Sequence, residues 1–227
     1  MRRRPGSAAD PDPKPLSSLD LSTFYFGSFA LTDLAGIPCF VTRTGYTGED
    51  GFEISVPNGR AVELTEKLMA SGVVHLAGLG ARDSLRLEAG LCLYGNDLTE
   101  DITPVEAGLA WTVGKRRREA FDFLGGAVVK AQLANGASKR RVGLVIPTGA
   151  PARQHSRILD TSGAEIGEVT SGGFSPCLGQ NIAMGYVATS ASKVGTPVRV
   201  EVRGKVNDAV VSKMPWVPSG YFKPAGK

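Results

Sequence analysis

The stretch Gly45-Tyr46-Thr47-Gly48-Glu49-Asp50-Gly51-Phe52-Glu53-Ile54-Ser55-Val56 decides how the first half of the chain is read. Glycines punctuate a tight turn, and from Phe52 onward apolar and polar residues alternate at period two. This predicts a short strand with Phe52, Ile54 and Val56 on the buried face and Glu53 and Ser55 on the other. Pro57-Asn58-Gly59 ends it, and Ala61, Leu64, Leu68 and Met69 then recur at helical spacing as far as Ser71-Gly72. Upstream, Phe24, Phe26 and Phe29, then residues 37–42, suggest two short strands separated by Asp33-Leu34-Ala35-Gly36. Downstream, an apolar run over 73–79 reads as buried and leads into a second helix over about 81–89, closed by Gly90. Strands and helices at this pitch predict an α+β layer.

A looser helical stretch runs from Lys115 to Leu133, and Asn135-Gly136-Ala137-Ser138 reads as a linker. Beyond it the helical period disappears. Segments 142–146, 157–160, 166–170, 182–187, 198–202 and 206–211 are short and β-branched, with glycine-rich turns between them, which predicts a small antiparallel β-barrel or jelly roll. Pro5, Pro11, Pro13 and Pro15 break up a start with no apolar period, so residues 1–18 read as a disordered leader. The expected organisation is therefore leader 1–18, α+β region 19–134, barrel 138–217 and tail 218–227.

Composition narrows the chemistry. The chain has 227 residues, 42% hydrophobic and 21% charged, enough for one or two domains with a real core and incompatible with wholesale disorder. Only His75 and His155 supply imidazole, and neither sits in a metal-binding spacing, so zinc hydrolysis is disfavoured and no metal is expected. Cys39, Cys92 and Cys177 are odd in number and form no Cys-x-x-Cys pair, which fits a reducing compartment. The charge-free stretch 169–192 contains Pro176, Gln180 and Asn181 and is not a membrane span. The opening Met-Arg-Arg-Arg leads into prolines and acids rather than an apolar or amphipathic segment, so the targeting signal is weak or absent. The net charge of +4 concentrates in Arg2, Arg3 and Arg4, in Lys115, Arg116, Arg117 and Arg118, and in Lys139, Arg140 and Arg141. No aromatic residues interleave these clusters, which argues against nucleic acid and for an acidic protein partner.

Four places could carry chemistry. Glu53 on the polar face of its strand, with Tyr46 in the preceding turn, reads either as a solvated strand carboxylate or as an acceptor for the N–H edge of a flat heterocycle. Arg82 and Arg86 stand four apart near a helix start, where like-charge repulsion and the macrodipole oppose them; an anion, or Asp83, Glu88 and solvent, would resolve the conflict. The segment from Tyr94 to Asp97 reads as a polar turn. Ser171-Gly172-Gly173-Phe174-Ser175-Pro176 lacks the ending of a phosphate loop and reads as a barrel turn.

Longer motifs carry a resemblance. Thr42-Arg43-Thr44 with the turn and strand quoted above, Gly80-Ala81-Arg82-Asp83-Ser84-Leu85-Arg86-Leu87-Glu88-Ala89-Gly90-Leu91, Tyr94-Gly95-Asn96-Asp97, Gly114-Lys115-Arg116-Arg117-Arg118, Thr170-Ser171-Gly172, Ala183-Met184-Gly185-Tyr186 and Lys213-Met214-Pro215 resemble the aminomethyltransferase family, the T-proteins of the glycine cleavage system, in their eukaryotic mitochondrial form. The likeness runs over about 21–222 and corresponds to the C-terminal part of the family's chain. The preceding portion in family members holds the aspartate regarded as essential for catalysis, so no catalytic residue is assigned here.

The resemblance implies a cloverleaf of three domains around a folate cavity, of which this chain would hold much of the folate-binding α+β part and the C-terminal barrel. A cavity lacking one wall would leave apolar surface exposed. The implied reaction takes the aminomethyl group from the dihydrolipoyl arm of H-protein to tetrahydrofolate, releasing ammonia and forming 5,10-methylenetetrahydrofolate. It implies tetrahydrofolate as cosubstrate, lipoate carried by H-protein, no metal, the P- and L-proteins as further partners, no membrane insertion and a mitochondrial matrix location. Residue by residue, it implies that Glu53 and Tyr46 contact folate, that Arg82 is a cavity cation, and that Tyr221 belongs to the substrate site, although Tyr221-Phe222 stands where the family often has two tyrosines. Lys115, Arg116, Arg117 and Arg118 would face the acidic lipoyl carrier. A folate- or H-protein-binding fragment without turnover is the alternative, and the related dimethylglycine and sarcosine dehydrogenases are disfavoured because no flavin-binding segment is present.

Overall fold

The computed structural model describes residues 17–225, so residues 1–16 of the expected leader and the last two of the tail lie outside the described residues. The described residues divide into two compact units: 17–45, 49–77 and 220–225 form one, and Tyr46–Gly48 with Gly78–Ser219 forms the other.

The first unit is a small antiparallel sheet, β1 (Phe29–Leu34), β2 (Ile37–Thr42) and β3 (Glu53–Ser55), in that spatial order, with helix α1 (Ala61–Met69). Ala35 and Gly36 both take positive φ, which gives β1 and β2 the tight connection whose twist suits a hairpin. Alternation then sorts the side chains. Ile37, Cys39 and Val41 point into a core with Phe24, Leu34 and Leu64, against which Leu19, Ala30, Ile54, Val56 and Leu68 pack. The opposite face carries Phe29, Leu31 and Phe40, all exposed, and Leu31 pairs directly with Phe40.

Three expectations fail here. The strand starts at Phe29, not at Phe24, because Phe24 belongs to the core as an isolated anchor and Phe26 is taken up by a ring stack described below. Phe52 is exposed rather than buried, lying just before β3 in a stack with Phe24 and beneath the Arg43 guanidinium. The apolar run 73–79 is also exposed and irregular up to residue 78. It carries the chain out of one unit and into the other, and an apolar run alone does not distinguish a core segment from a connector.

The second unit contains helices α2 (Leu79–Glu88), α3 (Lys115–Ala120) and α4 (Gly126–Asn135), followed by six strands. These are β4 (Lys139–Ile146), β5 (Arg157–Leu159), β6 (Glu165–Ser175), β7 (Gln180–Ala188), β8 (Pro197–Val202) and β9 (Lys205–Ser212). They close into an antiparallel barrel in the order β4-β7-β6-β5-β8-β9, so the sheet has no free edge. Leu144, Ile146, Ile158, Val169, Val200 and Val211 fill it. Leu87 of α2 packs on Ile182 and Met184 of β7, seating that helix on the barrel wall.

All six segments read from the sequence as strands are strands. The Ser171-Gly172-Gly173 segment is a correction: it lies inside β6, where the pairing with β7 shifts register between Val169 and Ser171. Gly172 is needed for close approach and not for a turn, since a Cβ there would stand 2.6 Å from the Ala152 carbonyl oxygen. The looser helix is in fact two, because Phe121 and Gly125 both adopt left-handed backbone and interrupt it.

Candidate functional site

Helix α2 and the glycine turn bring two of the candidate residues together. Gly48 has φ +79°, and a Cβ on it would come within 2.6 Å of the Ala89 side chain, so only glycine allows this turn to lie against the end of α2. Tyr46, in that turn, consequently has its ring 5.5 Å from the Arg82 guanidinium carbon, a cation–π contact. The Tyr46 hydroxyl donates to the Cys92 carbonyl, and burial pushes its pKa up, so the phenol remains protonated at neutral pH.

Arg86, four residues from Arg82, has an entirely different environment. It is 2% exposed and paired with Asp97, itself 0% exposed, at 2.8 Å. Asp83 approaches the guanidinium at 2.7 Å, and Arg86 also donates to Ser171 Oγ at 2.9 Å and to the Leu91 carbonyl at 3.1 Å. The charge conflict expected between Arg82 and Arg86 is thus resolved inside the chain, which leaves Arg82 exposed and available. Asp97 comes from the segment read as an ordinary polar turn; its acidic type next to a buried-sized helix cation was the only available signal.

In the first unit, Glu53 is exposed on β3 opposite Thr42, on the same outward face as the Phe29 and Phe40 rings, whose centroids are 5.6 Å apart. Tyr221 stacks on Phe26 at 4.2 Å between centroids, and Phe222 stacks on Tyr25 at 5.3 Å while its carbonyl accepts from the Phe26 amide at 2.7 Å. Arg43 organises this group. It holds both Asp50 oxygens, donates to the Leu21 and Phe24 carbonyls, and lies 4.0 Å from the Phe222 ring centroid. The sequence reading missed Arg43 and Asp50, although both lie within the motif that drew attention to Glu53.

The Arg43 guanidinium holds the Asp50 carboxyl below its ordinary 3.8, so the native carboxyl binds its proton less readily than the unfolded chain does. The stability from this pair is complete above that value and is lost as the pH falls through the lower native one. Denaturation of the chain between pH ~5 and pH ~3 should therefore show an acid loss that Asp50→Asn makes smaller. An unchanged acid profile in the variant would contradict the assignment.

The basic helix α3 is exposed along its length, with Arg116 and Arg117 paired to Asp122 at 3.1 and 2.7 Å, and Lys115 and Arg118 directed to neither of these bonds. Among the described residues, no group of three or more His, Cys, Asp or Glu is arranged to hold a metal ion, and no helix is long and apolar enough to cross a membrane.

Comparison with known proteins accounts for both units. The GCVT N-terminal domain matches residues 14–117, and the glycine cleavage T-protein C-terminal barrel domain matches residues 139–218. The chain belongs to the glycine cleavage T-protein family. Within that family it is 59% identical over 222 residues to the mitochondrial aminomethyltransferase of Pisum sativum, covering 97% of this chain and 54% of the relative. It is 56% identical over 204 residues to the mitochondrial aminomethyltransferase of Gallus gallus, covering 89% of this chain and 52% of the relative. The crystal structure of the glycine cleavage system aminomethyltransferase T from Bartonella henselae superimposes with a TM-score of 0.84 at 45% identity, covering 90% of this chain and 56% of that one. The chain therefore spans about half the length of the T-proteins it matches.

Proposed function

We propose that this chain supplies the tetrahydrofolate-contacting surface of an aminomethyltransferase that works in the mitochondrial matrix as part of the glycine cleavage system. The observation that carries this reading is an exposed carboxylate, Glu53, beside two exposed aromatic rings on one sheet face, in a chain 59% identical to a mitochondrial aminomethyltransferase. A pterin is flat and apolar across its faces, with an amide-like N–H and an amino group along one edge. Glu53 accepts two parallel hydrogen bonds from that edge, and the neighbouring rings offer it an apolar floor. Arg82, exposed and backed by the Tyr46 ring, and Tyr221, whose ring stacks on Phe26, are the further positions that the family resemblance assigns to the substrate.

The reaction needs little beyond orientation and proton transfer. The aminomethyl carbon, held between the carrier's sulfur and an amine, loses both of those bonds and gains bonds to two folate nitrogens. The protons those nitrogens give up go to the released thiol and ammonia. The donor is the dihydrolipoyl arm of H-protein, and Lys115, Arg116, Arg117 and Arg118 face that acidic carrier, with P- and L-proteins acting on the same arm. The product is 5,10-methylenetetrahydrofolate.

The test is a transfer assay with tetrahydrofolate and aminomethyl-loaded H-protein, run on the chain alone and with the remaining half of the pea relative added. Ammonia and 5,10-methylenetetrahydrofolate should form in equal amounts in the second mixture, and Arg82→Ala should lower the rate by about tenfold or more. No transfer in either mixture would overturn the proposal.

A further inference from the structure

We infer, on the reading that Arg82 meets tetrahydrofolate, that Asp97 is a positioning residue for the Arg82–Tyr46 pair, acting through Arg86 and through the loop 91–97. Three observations lead there. First, Arg82 and Arg86 are one helical turn apart on one face of α2, and the N-terminus of that helix has no side-chain cap to hold it. The position of its first turns therefore depends on what grips Arg86, and the deepest grip is the buried Asp97 carboxylate at 2.8 Å.

Second, Tyr46 hangs from the same loop. Its hydroxyl donates to the Cys92 carbonyl, and the next residue, Leu93, donates its amide to Asp97 Oδ2 at 2.7 Å. The Asp97 backbone carbonyl in turn accepts from the Tyr186 hydroxyl of β7 at 2.8 Å, fixing the loop to the barrel. One side chain thus holds both the guanidinium behind Arg82 and the strut behind Tyr46.

Third, Asp97 has no capacity left for a substrate. Its Oδ2 accepts from Arg86, Ser171 Oγ and Leu93, and its Oδ1 accepts from Thr170 Oγ1. At 0% exposure, it acts on a ligand only through the residues it holds. Two of those donors, Thr170 and Ser171, stand at the register shift of β6, so the irregular part of the barrel wall is also the part that reaches the carboxylate.

The experiment is calorimetric titration of the chain with tetrahydrofolate, using Arg82→Ala, Asp97→Asn and the double variant, with the melting temperature recorded for each. Asp97→Asn keeps the shape and removes the charge; Ser171→Ala is the milder second variant if Asp97→Asn fails to fold. The expected result is an affinity about tenfold weaker for Asp97→Asn at unchanged stoichiometry, and a double variant no weaker than Arg82→Ala alone. A purely structural role would reduce the binding-competent fraction and leave the affinity of the remainder intact. Wild-type affinity in the folded Asp97→Asn or Ser171→Ala chain, or effects that multiply in the double variant, would overturn the inference while leaving the folate reading in place. Wild-type affinity in Arg82→Ala would remove that reading and this inference together.

Discussion

Arg86→Met, with Asp97 left in place, is expected to lower the unfolding free energy of the barrel-bearing unit by about 3–5 kcal/mol, because it leaves a carboxylate without its counter-charge in a site sealed from water. The pair is fully enclosed, with Arg86 and Asp97 both buried, and methionine fills the volume of the arginine stem without replacing its donors. Ser171, Thr170 and the Leu93 amide would still donate to Asp97, so the charge is partly accommodated and the effect stays within that range. The double variant Arg86→Met/Asp97→Asn should recover part of the loss, since the charge is then gone from both sides. Urea denaturation followed by circular dichroism measures both. A loss below about 1 kcal/mol for Arg86→Met would mean that the pair is not the centre of this region.

The arginines of α2 also mark where sequence reading stops. Spacing alone places Arg82 and Arg86 on one face and flags their mutual repulsion, yet it treats them alike. The structure separates them: Arg86 is consumed by Asp97, and Arg82 stays exposed beside Tyr46. The partner could not be read because it comes from a segment whose Gly95-Asn96-Asp97 composition is that of any turn, and only the folded barrel brings Ser171 and Thr170 to the same carboxylate.

The barrel was legible for the opposite reason. Its strands are rich in β-branched residues with glycine-rich turns between them, so local pattern announces each strand, although only the β5-β6, β6-β7 and β8-β9 pairings join consecutive strands and the closing order comes from the fold. The run 73–79 and Phe52 were misread because hydrophobicity predicts burial only where something covers the residue. Glu53 sits where period two put it, on the outward face of its strand, but its neighbours there, Phe29 and Phe40, come from strands whose register no local pattern specifies.

The second large effect is expected at that face. Glu53→Gln replaces a charged two-oxygen acceptor by an amide with one, and Glu53→Ala removes it altogether. Hydrogen bonds to a charged acceptor contribute about 1.5–3 kcal/mol, so tetrahydrofolate affinity should fall roughly 10- to 100-fold. Glu53 is exposed, and among the described residues its side chain makes no bond that supports the sheet, so the melting temperature should move little. That combination, affinity lost and stability kept, separates a ligand contact from a scaffold residue.

Titration of the wild-type chain, Glu53→Gln and Glu53→Ala with tetrahydrofolate is the most direct measurement of whether this family member presents its folate-contacting carboxylate at residue 53. Saturable one-to-one binding that weakens in the order wild type, Gln, Ala is the predicted result. Equal affinity in all three, at equal melting temperatures, would contradict it.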